Sequence, residues 1–340
     1  MPTGTSDILA AVERLRAGGV VAFPTETVYG LGADALSERA VARVFALKGR
    51  PSNNPLIVHV SGPEMAARVV APGAFSEDAL RLTRALWPGP LSIVLPKAAG
   101  VPSIVTGGGP NVAVRCPDHP VTLALLLAFG GPLVGPSANL SGHVSPTTAA
   151  HVREAFDQEQ ALVLEGGACR GGIESTVVSL LSGDARVLRP GLIGAGEIGR
   201  ILGRQVEVGV SDTGGGADGG ADGRAGGALA SPGLLSRHYA PRTPAMLLAR
   251  AELEETLREE PWRSAAVLAF SPLPAEDEDA AGTVHTLLMP AEDVEYAGVL
   301  YAALRQADAL GVERILIERP SGTSEVWAAV LDRLRRASAE

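Results

Sequence analysis

Residues 20–32 have the sequence VVAFPTETVYGLG, in which four apolar residues precede a polar segment that contains two glycines. A short apolar run bounded by turn residues predicts a buried β-strand over residues 20–23 and a loop over residues 24–32. The small hydroxyl side chains and glycines of this loop suit a closely bound small ligand. A polar turn held by local hydrogen bonds explains the same residues and, for this segment alone, is the favoured interpretation.

Strand and helix patterns alternate on the C-terminal side of this segment. Short apolar runs predict further strands at residues 56–60, 91–95, 112–115, 133–135, 162–164 and 176–180. Apolar residues at helical spacing predict helices between most of them, at residues 38–47, 79–86, 121–129 and 149–156. The alternation predicts one α/β domain over residues 5–193, with a twisted mixed sheet covered by helices.

A change in composition marks the end of this region. Nine of the nineteen residues from 209 to 227 are glycine, and such a segment cannot bury enough apolar surface to offset its ordering entropy. We therefore predict a flexible linker over residues 209–237, with a long ordered glycine-rich loop as the alternative. Beyond it, strand patterns at residues 245–249, 265–270, 284–288 and 314–317 predict a smaller Rossmann-like α/β domain over residues 238–340.

The composition excludes several classes of protein. A chain of 340 residues with 46% hydrophobic and 20% charged residues is not wholly disordered, and its longest apolar run, residues 123–129, is too short to span a membrane. The chain opens on no secretion signal, which predicts a cytoplasmic protein. Its two cysteines exclude a disulfide framework and match no zinc pattern. Residues 1–192 hold 15 basic and 15 acidic residues, so this half is not a basic nucleic-acid-binding body.

Three further loops carry polar residues that core packing does not require. In residues 48–55, KGRPSNNP, Lys48 and Arg50 flank a glycine and suit phosphate or carboxylate oxygens, although cations at a helix end also suit the helix dipole. In residues 135–142, GPSANLSG, small hydroxyl and amide groups between a strand and a helix predict an anion cradle. Ser137 lies outside any GxSxG motif and is not predicted to be a nucleophile.

The last of these loops is residues 172–176, GIEST, with Arg115 and Arg189 as cations at strand ends. Together the loops offer cations, hydroxyls and amides but few carboxylates, which indicates a site that binds and aligns anions rather than one for covalent or acid–base catalysis. No cluster of His, Cys, Asp or Glu has metal-ligand spacing, so we predict no protein-held metal. Any Mg²⁺ is expected to arrive with a nucleotide.

The ordered motifs PTETVYGLGA, KGRPSNNPLIVHV, WPGPLSIVLP, VAVRCPDHP, GPSANLSG, GIESTVV and VLRPG resemble the YrdC-like family, most closely the threonylcarbamoyl-AMP synthases that feed tRNA modification. The segment HYAP at residues 238–241 resembles the two-domain branch of that family. The resemblance implies that ATP, L-threonine and bicarbonate give threonylcarbamoyl-adenylate and pyrophosphate. It also implies a downstream tRNA threonylcarbamoyl transferase complex as partner and an HYAP segment that reaches back to the active site. Because a flexible tether precedes this segment, we hypothesise that residues 209–237 fold with His238 and Tyr239 over the pocket as a lid, with a simple spacer and a docking C-terminal domain as the alternative.

The resemblance further implies a role for individual residues. The expected threonine contacts are Thr27, His59, Arg115, Gly135 and Ser175. The expected nucleotide contacts are Arg50, Asn54, Asn111, Ser137, Asn139, Ser145, Arg189 and Tyr239. Lys48 and Arg50 are the expected catalytic residues at the phosphates.

Two other functions are open to a chain of this pattern. The hydrogenase-maturation carbamoyltransferases contain a similar domain, but they also carry CxxC repeats, which two cysteines cannot form. The alternative that we retain is a non-catalytic RNA-binding module of the YrdC-like type. The balanced charge of residues 1–192 argues against it, so direct tRNA binding is expected to be weak or absent.

Overall fold

The computed structural model describes residues 3–181, 183–209, 238–259, 264–273 and 283–339. Of the predicted linker, only Gly209 belongs to these residues, and the remainder lies outside them. The helices of the described residues are α1 (Thr5–Arg16), α2 (Glu38–Lys48), α3 (Pro63–Ala66), α4 (Glu77–Leu86), α5 (Pro120–Phe129), α6 (Ala149–Arg153), α7 (Ala195–Leu202), α8 (Arg250–Glu259), α9 (Asp293–Ala309) and α10 (Glu325–Ala337), with a 3-10 turn at Ser103–Thr106.

Ten strands of the described residues form one large sheet. They are β1 (Val21–Phe23), β2 (Gly30–Asp34), β3 (Ile57–His59), β4 (Leu91–Pro96), β5 (Asn111–Arg115), β6 (Leu133–Val134), β7 (Leu162–Val163), β8 (Thr176–Ser179), β9 (Arg186–Arg189) and β10 (Glu207–Val208). Their spatial order is β10-β9-β8-β4-β5-β3-β6-β2-β1-β7, with both parallel and antiparallel neighbours. This confirms the predicted mixed α/β sheet. The strand β10 follows residue 193 and pairs in parallel with β9.

The strand β2 was not expected, because residues 24–32 were predicted to form one loop. The structure shows a hairpin in which β1 and β2 pair antiparallel, with Phe23 opposite Gly30. Glycine is rare in strands, which is why the pattern did not indicate one. Here it makes room for an aromatic ring, since a Cβ on Gly30 or Gly32 would lie within 3 Å of the Phe23 side chain.

The four remaining strands form a second sheet, which is entirely parallel. They are β11 (Ala245–Leu248), β12 (Ser264–Ala269), β13 (Thr283–Leu288) and β14 (Arg314–Glu318), in the order β11-β14-β12-β13. Helix α8 packs on one face of this sheet, whereas α9 and α10 pack on the other. This arrangement is the small Rossmann-like layer structure expected for the C-terminal part of the chain.

Helices α9 and α10 also pack against loops of the first domain. Apolar side chains of α9 and α10 share one buried cluster with Val28, Val144, Ile173 and Tyr239. Gly172, whose φ is +69°, lies so close to α9 that a Cβ there would be 2.1 Å from the carbonyl oxygen of Ala297. The two parts of the chain are therefore joined by a packed interface between α9, α10 and the GIEST loop.

No helix among the described residues is both long and apolar enough to cross a membrane. The two cysteines, Cys116 and Cys169, are buried and unpaired, and burial raises the pKa of their thiols to about 11 and about 12. Both thiols are therefore protonated near neutral pH and behave as small core residues.

Candidate active site

A cavity opens where several strands of the first sheet end. Its walls come from the β1–β2 loop, the segment before β3, the ends of β3, β5 and β9, the residues that follow β6, and the loop before β8. The lining residues are Thr27, Val28, Arg50, Pro55, Leu56, Ile57, His59, Arg115, Gly135, Pro136, Ser137, Glu174, Ser175, Arg189, His238 and Tyr239. Since β5, β3 and β6 are neighbours in the middle of the sheet, residues far apart in the sequence meet at this cavity.

The structure brings together most of the residues expected to contact a ligand. All five expected threonine contacts line the cavity, namely Thr27, His59, Arg115, Gly135 and Ser175. Of the expected nucleotide contacts, the cavity wall contains Arg50, Ser137, Arg189 and Tyr239. The remaining expected residues, which are not among those lining the cavity, are Lys48, Asn54, Asn111, Asn139 and Ser145.

Arg115 is one of the cations that line the cavity, and its guanidinium is fixed from three directions. Nε donates to the carbonyl oxygen of Gly89 at 3.3 Å, and Nη1 donates to Oγ1 of Thr27 at 2.9 Å. Nη2 forms an ion pair with Glu26 at 2.7 Å, with both side chains buried. The two hydrogen bonds use two of five N–H groups, so the guanidinium retains donors for a carboxylate.

His59 stands beside Arg115 and is held neutral. Burial and the charge of Arg115 keep the pKa of His59 well below its usual range. Its Nδ1 is buried without a hydrogen-bond partner among the described residues and faces Gly135, where a Cβ would lie 2.5 Å away. A neutral imidazole donates through one ring nitrogen and accepts through the other, so His59 offers a hydrogen-bonding group to a ligand in the cavity.

Arg50 and Arg189 are two further cations that line the cavity. Arg50 is anchored to the loop that precedes β3, donating to the carbonyl oxygens of Asn54 at 3.0 Å and Pro55 at 2.7 Å. Burial lowers the pKa of Arg50 to about 9, so the group is still charged at neutral pH. Arg189 donates to the carbonyl oxygen of Ser175 at 2.9 Å. Two such rigid guanidinium groups suit the oxygens of a polyphosphate.

Several residues that were expected at the phosphates lie behind the cavity wall rather than in it. The buried Nζ of Lys48, whose pKa burial and the charge of Arg50 lower well below its usual range, donates to the carbonyl oxygens of Ser137 and Asn139 and so holds the loop after β6. Asn139 donates through Nδ2 to the carbonyl oxygens of Leu140 and His143, at 2.7 and 2.8 Å. Asn54 accepts from Arg50 at 2.6 Å, whereas Asn111 begins β5 opposite Pro96. Their roles at the phosphates stay predictions.

Tyr239 covers the cavity from the segment that precedes the second sheet. It is almost completely buried, and its φ of 61° is unusual for a residue with a side chain. Its hydroxyl has no hydrogen-bond partner among the described residues. Burial raises the pKa of Tyr239 to about 12, so this hydroxyl is a donor at neutral pH. A strained backbone and an unpartnered hydroxyl at a cavity are typical of a ligand contact.

Two positions at the site, Glu26 and Glu174, were not assigned a role from the sequence, although each lies inside a quoted motif, whereas His238 was expected to close over the pocket together with Tyr239. Glu26 pairs with Arg115, Glu174 accepts a hydrogen bond from Ser145 at 2.7 Å, and His238 lines the cavity next to Tyr239. A carboxylate within a loop of hydroxyls and cations was the available signal for both glutamates. Their partners could not be read from the motifs, because they come from other parts of the chain.

The described residues do not fit a metal site of the protein's own. They contain no group of three or more His, Cys, Asp or Glu side chains arranged to hold an ion. Glu174, the carboxylate of the cavity wall, is already occupied by hydrogen bonds and an ion pair. That Mg²⁺ enters with a nucleotide stays a prediction.

Comparison with known proteins agrees with this geometry. The family model described as "Telomere recombination" matches residues 13–191, and that described as "Threonylcarbamoyl-AMP synthase, C-terminal domain" matches residues 195–339. The threonylcarbamoyl-AMP synthase of Pyrococcus abyssi is 38% identical over 335 residues, which cover 95% of this chain and 92% of the relative. That of Bacillus subtilis is 41% identical over 246 residues, 72% of this chain and 67% of the relative.

A solved structure is similar over nearly the whole chain. The crystal structure of P. abyssi Sua5 complexed with L-threonine has a TM-score of 0.82 and 37% identity, and the match covers 97% of this chain and 94% of that one. The mixed sheet, the cavity lined from its central strands and the second, parallel sheet define a two-domain protein of the YrdC-like class. More narrowly, the chain belongs to the threonylcarbamoyl-AMP synthase family, which confirms the resemblance noted in its motifs.

Proposed function

We propose that this chain synthesises L-threonylcarbamoyl-adenylate and pyrophosphate from ATP, L-threonine and bicarbonate. The observation that carries the proposal is that all the expected threonine contacts and four expected nucleotide contacts line one cavity. The activity is that named for the relatives, and a structure similar over the whole chain is of a complex with L-threonine. The reaction class would be nucleotidyl transfer.

In the proposed reaction the amine of threonine first loses a proton and takes up the carbon of bicarbonate, with loss of water, to form a carbamate. A carbamate oxygen then attacks the α-phosphorus of ATP, and the bond from that phosphorus to the departing pyrophosphate breaks. Arg115 would bind the carboxylate of threonine, and the neutral His59 would form a hydrogen bond with its amine or hydroxyl. Arg50 and Arg189 would neutralise phosphate oxygens, so catalysis would come from alignment and charge rather than from a nucleophile.

The product is a mixed anhydride, which water destroys. Tyr239 and His238 lie over the cavity and would limit the access of water while the adenylate awaits transfer. The next step would be carried out by a tRNA threonylcarbamoyl transferase complex. A cytoplasmic location and weak or absent direct tRNA binding stay predictions from the sequence.

The test is an incubation with ATP, Mg²⁺, threonine and ¹³C-labelled bicarbonate, followed by mass spectrometry. We expect threonylcarbamoyl-adenylate that carries one ¹³C atom, and pyrophosphate release only when threonine and bicarbonate are both present. As a matched control, Arg84→Met removes an exposed arginine of α4 and should leave the yield unchanged. ATP turnover that is equal without threonine would contradict the proposal and indicate a plain ATPase.

A further inference from the structure

Tyr301 on α9 and Arg333 on α10, both in the C-terminal domain, contact the carboxylate of Glu174. Its Oε1 accepts from Oγ of Ser145 at 2.7 Å, within the first region. Its Oε2 accepts from the hydroxyl of Tyr301 on α9 at 2.9 Å and pairs with Nε of Arg333 on α10 at 3.3 Å. The Arg333 side chain is completely buried. The nucleotide side of the cavity therefore rests on side chains of α9 and α10.

The same two residues hold Tyr239. The rings of Tyr239 and Tyr301 are stacked, with centroids 5.6 Å apart and planes inclined by 28°. Cζ of Arg333 lies 5.8 Å from the centroid of the Tyr239 ring, within range of a cation–π interaction. Arg333 also donates through Nη1 to the carbonyl oxygen of Pro190 at 2.6 Å, next to Arg189. One arginine thus contacts three segments that form the cavity.

The charges around Glu174 explain why this arrangement matters. Burial by itself would raise the pKa of Glu174, but the charges of Arg333 and Arg189 and the hydrogen bond from Ser145 outweigh burial. The net effect lowers the pKa below its usual value, so the carboxyl is ionised at neutral pH. The other titratable groups that face it are the phenols of Tyr301 and Tyr239 and the neutral imidazole of His238. Without Arg333, an incompletely compensated negative charge would lie at a cavity that has to accept an anionic ligand.

We propose that Tyr301 and Arg333 are positioning residues for the nucleotide: they neutralise and orient Glu174 and fix the ring of Tyr239, so that the C-terminal domain completes the ATP half of the active site. This inference rests on the proposed function for the identity of the nucleotide. Under this proposal the C-terminal domain contributes to nucleotide binding through α9 and α10, which its Rossmann-like fold alone does not indicate.

A purely structural role of the interface would produce a different pattern. The two regions also meet where Glu325 of α10 accepts a hydrogen bond from the backbone N–H of Gly196 at 3.0 Å, at the start of α7. Neither residue lines the cavity. Glu325→Ala therefore weakens the interface without touching Glu174 or Tyr239, and it is the matched control.

The experiment measures the dissociation constant of ATP by isothermal titration between pH 6 and 8.5, using the full chain, in addition to kcat and KM for adenylate formation. For Arg333→Met we expect the dissociation constant and KM for ATP to rise about tenfold or more at pH 8, with a smaller change in KM for threonine. The dissociation constant of the variant divided by that of the wild type should grow with pH. Without the charge of Arg333, Glu174 ionises at a higher pH, and its negative charge then repels the nucleotide. The pair Glu174→Gln/Arg333→Met should bind ATP more tightly than Arg333→Met alone, with a ratio independent of pH.

Tyr301→Phe removes a single hydroxyl and keeps the measurement available if Arg333→Met does not fold. Loss of one hydrogen bond to a carboxylate should weaken ATP binding about fivefold or more, whereas Glu325→Ala should leave it unchanged. If Tyr301→Phe and Arg333→Met bind ATP as Glu325→Ala does, or if Glu174→Gln gives no relief, the inference is wrong. Because ATP binding is measured without turnover, a wild-type protein that binds ATP but makes no adenylate would contradict the proposed function and not this inference.

Discussion

Glu26 and Arg115 form a buried ion pair, 2.7 Å between Oε1 and Nη2, beside the cavity. Glu26 also accepts a hydrogen bond from the backbone N–H of Asp118, just beyond β5. The pair therefore joins the β1–β2 loop to the end of β5 and fixes the direction in which the guanidinium points. An arginine that an ion pair already holds in one orientation loses little side-chain entropy when a ligand binds.

The first prediction separates the binding role of Arg115 from its structural role. Arg115→Met should weaken threonine binding by about 2–5 kcal/mol, because the substrate carboxylate loses its partner, and should affect ATP binding less. It should also lower the free energy of unfolding, since Glu26 is left buried and unpaired. Glu26→Gln/Arg115→Met should recover stability but not threonine binding. Titration calorimetry and urea denaturation measure the two effects, and loss of ATP binding with threonine binding intact would contradict the assignment.

The second prediction concerns the hydroxyl of Tyr239. Tyr239→Phe removes an oxygen that has no partner among the described residues, so the free energy of unfolding should stay the same or rise. If that oxygen donates to the nucleotide, ATP binding should weaken by about 1 kcal/mol. Tyr239→Ala should weaken it further, because the stacking on Tyr301 is lost as well. Thermal denaturation and ATP titration are the measurements, and ATP affinity unchanged in Tyr239→Phe would exclude a contact through the hydroxyl.

The third prediction tests the close packing of the GIEST loop on α9. Gly172 and Gly73 both have a positive φ, and alanine at either position should cost about 1–2 kcal/mol for the left-handed backbone. Only at Gly172 does the new Cβ meet the backbone of α9, whereas nothing lies within 4 Å at Gly73. Gly172→Ala should therefore cost a further 1–3 kcal/mol, roughly the range for overpacking. Urea denaturation compares the two variants. Equal losses of unfolding free energy would show that α9 moves enough to accept the new Cβ without cost.

The fourth prediction follows from two buried neutral histidines. Burial is the largest cause that lowers the pKa of His59, well below its usual range, and that of His238, to about 3. The unfolded chain binds protons at these residues below about pH 6.5, and the folded chain does not. Stability should therefore be unaffected by them above pH 6.5 and should fall below it, with a limiting slope of about 1.4 kcal/mol per pH unit for each histidine.

This fall is measured by urea denaturation between pH 7.5 and 4.5. His238→Gln removes one of the two groups, so its unfolding free energy should depend less steeply on pH than that of the wild type. Equal slopes for the two proteins would show that His238 takes up its proton in the folded state.

The sequence predicted the fold class well because most elements carry a local signal. The strands β3, β4, β5 and β8 are apolar runs bounded by turn residues, and the helices α2, α4 and α5 have apolar spacing or capping residues at their ends. The strand β2 was missed, because its two glycines make space for Phe23 from the opposite strand and give no strand signal of their own. Its formation is decided by a partner that local propensity does not describe.

The sequence by itself determined which residue types were available at the site, since the motifs contain the cations, hydroxyls and glycines in a specific order. Only the tertiary structure decided their partners. Glu26 meets Arg115, and Glu174 meets Tyr301 and Arg333, across separations of 89, 127 and 159 residues. Pairing of buried charges depends on which strand ends and helix faces come together, and no local pattern around Tyr301 or Arg333 distinguishes them from ordinary helix residues. Burial then determines how strong these ion pairs are, because a charge removed from water interacts strongly with the partner that the fold places beside it.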